Sequence, residues 1–302
     1  MRVGVVLPVR TPLPYLGEAL DAILGQEPAP AQVVVVDDAS PDPLRLEPRH
    51  EGRCELLRLD ASRGPAGARQ AGLETLSTGL VALCDDDDAW EPGRLAAGLE
   101  ALERHPDAAV CFGRAIIVGE AGLPTGERWA EPAAGVHAAA SFGPVLYERN
   151  PIPNSSALLR RTPLEQVGGF ADSLTHGEDW DLWLRLVAAG EAFVFQPAAG
   201  VRYRRHGGGL TADMTALATG AMEVHERHAQ LVDEGAYRRT RAADFTALAR
   251  GRVRERDYPC ARAALAEAAE LEAPGPRERL LRGLLAVPGA RGALGRRSPY
   301  PR

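Results

Sequence analysis

Four consecutive aspartates, Asp85 to Asp88, are the feature of this sequence that most directly suggests chemistry. Adjacent carboxylates repel one another, and a divalent cation would hold them together. Mg²⁺ and Mn²⁺ prefer carboxylate oxygens and keep coordination positions for phosphate. Such an ion neutralises the charge that develops on a diphosphate leaving group. On a strand end Asp85 and Asp87 would point the same way. We therefore favour a metal site over a solvated acidic turn.

A second acidic pair, Asp37-Asp38, also follows a run of valines that is typical of a buried strand. One interpretation is structural, because aspartate is a preferred capping residue at a helix start. The other is functional, because the carboxylate could accept a hydrogen bond from the imide N–H of a uracil or thymine ring. The pair alone favours neither, but its position, parallel to that of Asp85, adds weight to the functional interpretation.

The segment Arg63 to Arg69 contains two glycines and is expected to be a loop that runs into a helix. A helix N-terminus favours phosphate, and Arg69 would supply a forked cation. The segment lacks the Gly-Lys-Ser/Thr of a P-loop and the glycine spacing of a dinucleotide fingerprint. By itself it is best interpreted as a plain strand-to-helix turn.

Two further clusters have residue types suited to transfer chemistry. Glu178 and Asp179 begin a predicted helix beside Trp180, where a carboxylate could act as general base toward an acceptor hydroxyl. Helix capping is the alternative, since acidic residues in a first turn complement the helix dipole. His206 precedes three glycines and could bind a metal or a diphosphate. A lone histidine is more often a surface residue, but the neighbouring Arg204 and Arg205 favour an anion site.

Strands and helices alternate over the first hundred residues, which is typical of a doubly wound parallel sheet. In such sheets ligands bind beyond the carboxyl ends of the strands, and the polar clusters lie at those ends. The chain between Val110 and Phe195 has a less regular pattern. The predicted strands are Val3–Leu7, Val33–Val36, Glu55–Leu59, Leu80–Cys84, Ala157–Arg160 and Val201–Arg205, and the predicted helices are Tyr15–Leu24, Gly67–Leu76, Arg94–Glu103 and Asp179–Ala189.

Composition excludes several classes of protein. The 302 residues are 45% hydrophobic and 25% charged, which is ordinary for a globular protein, and the net charge of −6 argues against a nucleic-acid-binding protein. The four cysteines have no paired spacing, which argues against zinc and thioredoxin-like sites. Neither a signal peptide nor a membrane span is predicted. We expect a cytoplasmic protein, with peripheral contact at the inner membrane face left open.

From about residue 216 the chain becomes rich in alanine and arginine, and its pattern predicts a helical extension. Amphipathic helices are expected at Tyr237–Val253 and Tyr258–Leu271, similar to one tetratricopeptide-like hairpin, which is a weak signal in a single copy. Residues 288–302 are expected to form a basic tail. The extension could form a homodimer, cover the acceptor side or touch a membrane, and we rank the first two above the third.

The order of these motifs resembles that of the inverting glycosyltransferases of family 2, which have the GT-A fold. The resemblance covers roughly residues 1–215, and eight stretches in series are more specific than any one. The stretches are VGVVLPVRTPLPYLGEALDAILGQ, VVVVDDASPD, RGPAGARQAGL, LVALCDDDDAW, NSSALLRR, VGGF, HGEDWDLWLRL and YRRHGGGLT. It implies a GT-A domain over residues 1–215, with a mainly parallel central sheet flanked by helices, followed by the extension.

The resemblance also implies roles for individual residues. Asp38 would hold the nucleobase, Asp87 would be the metal ligand, and Asp179 would be the catalytic base with Glu178 beside it. His206 would help close the site over the diphosphate and its metal. The implied donor-binding residues are Pro8, Val9, Arg10, Asp38, Gly64, Arg69, Asp85 and Asp86. The implied acceptor-side residues are Asn154, Ser155, Ser156 and Trp180.

Two positions depart from the family pattern. The family often has an aromatic residue near position 10, where this chain has Arg10, whose planar guanidinium could stack on a base instead. The family's Ala-Arg-Asn is here Ala68-Arg69-Gln70. The first departure bears on which nucleotide is bound.

We therefore expect a hexosyltransferase-type enzyme that moves a sugar from a nucleoside-diphosphate donor, UDP or dTDP, to an acceptor hydroxyl. It would use Mn²⁺ or Mg²⁺, invert the anomeric centre and serve the synthesis of surface polysaccharide, glycolipid or glycoconjugate. In this interpretation Asp88 is a solvated neighbour of the metal site. One alternative is a nucleotidyltransferase, but residues Pro8 to Pro14 lack the glycine-rich basic loop that a triphosphate needs. The other is a non-catalytic protein that kept the GT-A fold.

Overall fold

The computed structural model describes residues 2–171, 173–209 and 212–286. Its compact units are Met1–Arg205 and His206–Arg302. The strands are β1 (Val3–Val9), β2 (Gln32–Asp37), β3 (Glu55–Arg58), β4 (Leu80–Leu83), β5 (Ala89–Trp90), β6 (Ala108–Phe112), β7 (Ala115–Val118), β8 (Pro124–Arg128), β9 (Gly135–His137), β10 (Leu158–Arg160), β11 (Ala192–Phe195) and β12 (Val201–Arg204). The helices are α1 (Leu16–Leu24), α2 (Gly64–Thr75), α3 (Arg94–Arg104), α4 (Ala139–Glu148), α5 (Arg161–Gln166), α6 (Glu178–Ala188), α7 (Met214–Arg227), α8 (Glu234–Arg254), α9 (Tyr258–Leu271) and α10 (Pro276–Ala286).

The larger sheet of the first unit has the strand order β3-β2-β1-β4-β10-β6-β11-β9. Strands β3, β2, β1 and β4 are parallel neighbours, and their apolar residues are buried on both faces in β1, β2 and β4. Strand β10 runs antiparallel to β4 and to β6, and β9 runs antiparallel to β11. The sheet is therefore mixed. The acidic residues Asp37-Asp38 and Asp85 to Asp88 lie at the ends of β2 and β4, in its parallel half.

A smaller sheet has the order β5-β12-β7-β8. Strand β5 follows the acidic run and pairs antiparallel with β12, where Val201 faces Trp90. Strand β4, which precedes the run, belongs to the larger sheet. The four aspartates therefore belong to the short segment that connects the two sheets. Because β4 and β5 are each paired within a sheet, both ends of this segment are fixed.

Helix α2 packs closely on the parallel half of the larger sheet because Gly72 lacks a side chain. A Cβ atom at Gly72 would lie 2.5 Å from Cγ1 of Val6 and 3.0 Å from Cγ2 of Val36, closer than a carbon can approach without displacement. The close packing sets the position of α2 on the sheet. It thereby also sets the position of Arg69, which lies three residues before Gly72 in the same helix.

The chain between Val110 and Phe195 is more regular than its pattern predicted. It contains β7 to β11 and α4 to α6, most of them short elements whose apolar residues show no sustained period. Strands of three to five residues carry too few side chains to show an alternation. Packing within the two sheets, rather than local pattern, determines these elements.

The second unit is helical, from α7 to α10. Aspartates cap three of its helices: Asp213, Asp233 and Asp257 accept from the backbone N–H groups of Ala216, Ala236 and Cys260. Helices α8, α9 and α10 enclose a small apolar core that includes Ala249, Leu265 and Leu285. The predicted helices Tyr237–Val253 and Tyr258–Leu271 correspond to α8 and α9.

The predicted basic tail, residues 288–302, lies outside the described residues. The predicted domain boundary after residue 215 remains a prediction. Across residues 2–171, 173–209 and 212–286, no helix combines the length and the apolar character that crossing a bilayer requires.

Candidate active site

The acidic run forms a turn and does not continue strand β4. The strand ends at Leu83, and the backbone N–H of Asp88 donates to the carbonyl of Asp85 (3.2 Å), closing a turn between β4 and β5. The expected continuation of the strand, from which we inferred that Asp85 and Asp87 point the same way, is therefore wrong. The chain must reverse here to enter the smaller sheet, so the strand geometry ends before the first aspartate.

Asp88 is buried and is not the solvated residue that the sequence suggested. Only 2% of the surface of Asp88 is exposed, and its Oδ1 accepts a hydrogen bond from the backbone N–H of Arg204 (2.9 Å). Burial raises the pKa of Asp88 well above its ordinary value, and the charges of Asp87 and Asp85 add to the rise. Asp88 thus joins the acidic turn to strand β12.

Arg204 fixes the same turn through its side chain. Its Nε donates to the carbonyl of Asp87 (2.9 Å), and one of its terminal nitrogens donates to Glu18 (2.6 Å). The other terminal nitrogen donates to the carbonyl of Glu120 (3.1 Å), and the guanidinium lies over the ring of Tyr15. These protein acceptors surround the cation, so the anion site that we expected at Arg204 is wrong, and Arg204 instead ties β12 to the acidic turn.

Asp86 and Asp87 occupy the middle of the turn and are partly exposed. Burial raises the pKa of Asp86 to about 8, and the neighbouring charges of Asp87 and Asp85 add to the rise. Among the described residues, no three histidine, cysteine, aspartate or glutamate side chains are grouped as a ready-made metal cage. Mg²⁺ bound with a nucleotide typically takes one or two carboxylates and completes its shell with phosphate and water, so a carboxylate-rich turn still fits such an ion.

Arg69 of helix α2 bridges two acidic side chains. It donates to the carboxylate of Glu178 and, through its other terminal nitrogen, to Oδ1 of Asp85 (2.5 Å). Burial acts to lower the pKa of Arg69, but the charges of Asp85 and Glu178 outweigh it and raise the pKa above its ordinary value. The cation predicted for a donor phosphate therefore links the acidic turn to the start of helix α6.

Asp179 lies in the first turn of α6, beside Glu178. Its Oδ1 accepts from the backbone N–H of Trp180 (2.7 Å), and its Oδ2 accepts from Nδ2 of Asn150 (3.2 Å). Burial raises the pKa of Asp179 to about 7, and the charge of Glu178 adds to the rise while Arg69 opposes it. A carboxyl group with a pKa near neutrality can accept a proton from an acceptor hydroxyl more readily than an ordinary aspartate.

The predicted acceptor-side residues Asn154 and Ser155 lie against Asp85. Nδ2 of Asn154 donates to both carboxylate oxygens of Asp85 (3.1 and 3.3 Å), and Oγ of Ser155 accepts from the backbone N–H of Asp85 (3.0 Å). These two residues form a 3-10 turn, Asn154–Ser156, with Ser156, whose Oγ donates to the carbonyl of Pro153 (2.7 Å). The turn therefore positions the first aspartate of the acidic run.

Trp180 is the remaining predicted acceptor-side residue. It is partly buried, and its indole N–H donates to the carbonyl of Leu146 in α4 (2.6 Å). This bond ties α6 to α4 at the helix start that carries Asp179.

Asp38 uses its carboxylate to hold the start of helix α2. It accepts from the backbone N–H groups of Arg63 (2.6 Å) and Gly64 (3.1 Å) and from the hydroxyl of Ser62 (2.7 Å). The predicted glycine-rich loop is therefore wrong from Gly64 onward: helix α2 begins at Gly64, with Pro65 in its first turn. The first N–H groups of a helix need partners, and Asp38 supplies them.

Asp37 is also a structural acceptor. Its carboxylate takes the backbone N–H groups of Ser40 (2.8 Å) and Leu44 (3.0 Å) and pairs with Arg58. Burial acts to raise the pKa of Asp37, but the hydrogen bonds from Ser40 and its other partners lower it below its ordinary value.

The first strand ends beside this corner. Pro8 and Val9 pair with β2, and the carbonyl of Val9 accepts from the backbone N–H of Asp38 (2.8 Å). Arg10 is exposed and its guanidinium donates to the carbonyl of Ala39. The structure therefore brings the predicted residues Val9, Arg10, Asp38 and Gly64 to one corner.

The predicted metal residue His206 begins the second compact unit. It is buried, and its Nδ1 accepts from the backbone N–H of Gly208 (3.3 Å). Its predicted role at the diphosphate remains a prediction.

A sequence match to the glycosyl transferase family 2 domain covers residues 4–167, which is more than half of the chain. The chain belongs to glycosyl transferase family 2. The match includes the first strand, the acidic turn and the Asn154 turn. It confirms the family and the enzyme class, a glycosyltransferase, that the motif order indicated.

Curated relatives of this family 2 chain match over part of their length. The chain is 31% identical over 208 residues to a pre-mycofactocin glycosyltransferase of Mycobacterium tuberculosis, covering 65% of the chain and 41% of the relative. It is 30% identical over 211 residues to the succinoglycan biosynthesis protein ExoO of Rhizobium meliloti, covering 64% of the chain and 58% of the relative. The chain therefore spans about half the length of these two relatives.

Solved structures of similar fold cover nearly the whole chain. The S. aureus protein TarS, residues 1–349 in complex with UDP-GlcNAc, superposes with a TM-score of 0.66 over 98% of this chain and 88% of that one, at 18% identity. The mannosyltransferase PcManGT from Pyrobaculum calidifontis, in complex with GDP-Man and Mn²⁺, gives a TM-score of 0.59 over 97% and 86%, at 21% identity. These likenesses confirm the predicted GT-A fold.

Residues that matter at this family 2 site were missed in the sequence. Asn150, which contacts Asp179, carries no local signal beyond its place before Pro151. Arg94 is buried over the ring of Trp90 and donates to the carbonyls of Ser155 (3.2 Å) and Ala157 (3.0 Å). The four-residue spacing of Trp90 and Arg94 was the available signal. Burial lowers the pKa of Arg94 to about 10, and its contacts support the turn that holds Asp85.

Proposed function

We propose that this protein is a metal-dependent, inverting glycosyltransferase that moves a sugar from a nucleoside diphosphate to an acceptor hydroxyl. The observation that carries the proposal is the environment of Asp179. It is a partly buried carboxyl group at the start of α6, and Arg69 links its neighbour Glu178 to the acidic turn. Arg69 thus lies between the proposed base and the carboxylate-rich turn. This arrangement suits a reaction in which the base serves the acceptor and the turn serves the leaving group.

Asp179 performs the proton transfer in this mechanism. Its carboxylate takes the proton of the acceptor hydroxyl as the hydroxyl oxygen attacks the anomeric carbon of the donor sugar. The bond to the diphosphate oxygen breaks on the opposite face, and its electron pair leaves with the nucleoside diphosphate, so the anomeric configuration inverts. Arg69 pairs with Glu178, and the charge of Glu178 raises the proton affinity of Asp179.

Asp87 is the residue that we propose to hold Mn²⁺ or Mg²⁺, with His206 as the second predicted residue. When bound, the ion neutralises the charge that develops on the leaving diphosphate. The fit rests on the crowding of the turn: Oδ2 of Asp88 is buried with no hydrogen-bond partner among the described residues, and the pKa of Asp86 is raised to about 8. Acidic groups whose negative charge is so poorly stabilised favour a bound cation at the turn.

The donor is proposed to bind at the corner formed by Pro8, Val9, Arg10, Asp38 and Gly64, with Asp85 and Asp86 toward the ribose. A UDP or dTDP sugar is favoured, and the UDP-GlcNAc complex of TarS supports the first. Because Asp38 already accepts three hydrogen bonds from residues 62–64, contact with a base would use its remaining acceptor capacity.

The acceptor is proposed to approach past Asn154, Ser155 and Trp180. We place the enzyme in the cytoplasm, in the synthesis of surface polysaccharide, glycolipid or glycoconjugate. The names of the relatives, a pre-mycofactocin glycosyltransferase and a succinoglycan biosynthesis protein, support a pathway of this kind. For the C-terminal extension we propose subunit pairing or acceptor contact ahead of membrane contact.

The proposal is tested by incubating the protein with UDP-, dTDP- and GDP-sugars in the presence of Mn²⁺. We expect a raised melting temperature with one nucleotide class, and release of its nucleoside diphosphate. Release of pyrophosphate from a sugar phosphate and a nucleoside triphosphate would indicate a nucleotidyltransferase instead. No stabilisation and no turnover across the panel would indicate a non-catalytic protein.

A further inference from the structure

The amide of Asn150 has a defined orientation at the proposed base. Its Oδ1 accepts from the backbone N–H of Ile152 (3.0 Å), and its Nδ2 donates to Oδ2 of Asp179 (3.2 Å). The Ile152 bond requires the carbonyl oxygen on its own side, because an N–H group cannot face the amide nitrogen. The amide nitrogen must then face Asp179.

The segment that carries Asn150 is held from several sides. It connects α4 to the 3-10 turn Asn154–Ser156. Ile152 is buried, and the indole N–H of Trp129 donates to the carbonyl of Pro151 (2.9 Å). Asn154 at the other end of the segment donates to Asp85. Asn150 is therefore positioned by a fixed backbone and not by its own rotamer alone.

The charged groups around Asp179 come from three directions. Glu178 is its neighbour on α6, Arg69 approaches from α2, and Asp85 lies in the acidic turn after β4. Helix α4, which also packs on α6, carries Glu148 at its exposed end. The guanidinium of Arg69 hydrogen-bonds to Glu178 and Asp85, whereas the neutral Asn150 amide and the Trp180 backbone N–H donate to the Asp179 carboxylate.

We propose that Asn150 is a positioning residue for Asp179: its amide, locked by Ile152, holds the carboxylate in one orientation and stabilises its ionised form. This inference rests on the proposed function, in which Asp179 is the base. A neutral donor suits this task, because a cation would lower the proton affinity of the carboxylate much further. Without the amide, Asp179 would bind its proton more tightly and would lose a rotational restraint.

The test measures the titration of Asp179 directly and needs no ligand. The full-length protein is labelled with ¹³C at the aspartate carboxyl carbons, and the Asp179 signal is identified by its loss in Asp179→Asn. We expect Asn150→Ala to raise the midpoint by about one pH unit or more, because a hydrogen bond to the charged form is lost. Asn150→Asp, which keeps the shape and the Ile152 acceptor, should raise it further, since it adds a negative charge.

Asn154→Ala is the matched control, because it removes an amide donor of the same segment from Asp85 instead of Asp179. It should move the Asp179 midpoint by only a few tenths of a pH unit. Unchanged midpoints in both Asn150 variants, or an equal shift in the control, would overturn the proposal. Turnover by Asp179→Asn in a donor assay would instead overturn the proposed function, so the two failures are distinguishable.

Discussion

The guanidinium of Arg69 pairs with Glu178, the residue next to Asp179 in helix α6. Its other terminal nitrogen pairs with Asp85 of the acidic turn (2.5 Å). Two adjacent carboxylates in one helical turn therefore have different hydrogen-bond partners. Glu178 pairs with a cation, whereas Asp179 has neutral donors and a pKa raised to about 7 by burial and by the charge of Glu178. Neighbouring acids thereby gain separate roles.

Replacing Arg69 with methionine should destabilise the protein strongly. The variant leaves Glu178 and Asp85 without their cation, and breaking a buried ion pair on one side costs about 3–5 kcal/mol. The free energy of unfolding from urea titration is the measurement. Arg104→Met is the control, because Arg104 forms an exposed pair with Glu100 and should change stability by less than about 0.5 kcal/mol. Equal stabilities of the two variants would contradict the bridge.

Activity should rise with pH through about 7 if Asp179 is the base. The carboxylate accepts the proton only when ionised, and its pKa is raised to about 7, so the acid limb of kcat/KM should have its midpoint there. The measurement is a pH profile of donor turnover between pH 5 and 9, at roughly half-unit steps. A profile flat down to about pH 5 would show that an ordinary carboxylate, or none, carries the proton.

The same raised pKa has a consequence for stability. Asp179 keeps its proton in the folded protein at pH values where the unfolded chain has lost it, so its contribution to stability is lost as pH rises from the ordinary aspartate value through about 7. Asp179→Asn removes this titration, and its free energy of unfolding should therefore depend less on pH between about 5 and 8. The two proteins are compared by urea titration at matched pH values. Parallel curves would contradict the raised pKa.

Mn²⁺ should bind in the presence of UDP through the acidic turn. Asp87→Asn should weaken the binding measured by calorimetry by about tenfold or more, since it removes a charged oxygen ligand. Asp107→Asn, at an exposed position, is the control and should bind as the unaltered protein does. EDTA should abolish turnover. Full activity in EDTA would show that the acidic turn has another task.

Asp38→Ala should destabilise the first turn of helix α2. The variant removes the acceptor for the N–H groups of Arg63 and Gly64, and losses of this type cost about 1 kcal/mol. The melting temperature should fall, whereas Asp60→Ala, at an exposed position, should leave it nearly unchanged. An unchanged melting temperature in the Asp38 variant would show that these bonds contribute little.

The sequence predicted the regular half of the fold well. Runs such as Val33 to Val36 identify buried strands, and the helices α1 and α3 have clear apolar periods. The predicted strands Ala157–Arg160 and Val201–Arg205 correspond to β10 and β12. The antiparallel direction of β10 and the pairing of the smaller sheet could not be assigned, because a two-residue strand such as β5 has no pattern of its own. Their existence depends on partners distant in the chain, as when Trp90 pairs with Val201.

The sequence predicted which residues lie at the candidate site more accurately than it predicted what each residue contacts there. Asp179 and Asp85 were selected from their positions at element ends, but the pairing of Arg69 with both sides of the site depends on a helix docked by Gly72. Asp88 was misjudged because burial arises from strand β12, which lies more than a hundred residues further along the chain. Asn150 was missed because its contact with Asp179 forms only when α4 and α6 pack.

The most direct test of the central claim compares Asp179→Asn with the unaltered protein on the donor that the nucleotide-sugar panel selects. The measurement is release of nucleoside diphosphate in the presence of Mn²⁺ and an acceptor extract, with binding of the same nucleoside diphosphate measured in parallel. We expect nucleotide binding within about twofold of that of the unaltered protein and a rate reduced at least about a hundredfold, the range of general base catalysis. Retained turnover by Asp179→Asn would contradict it.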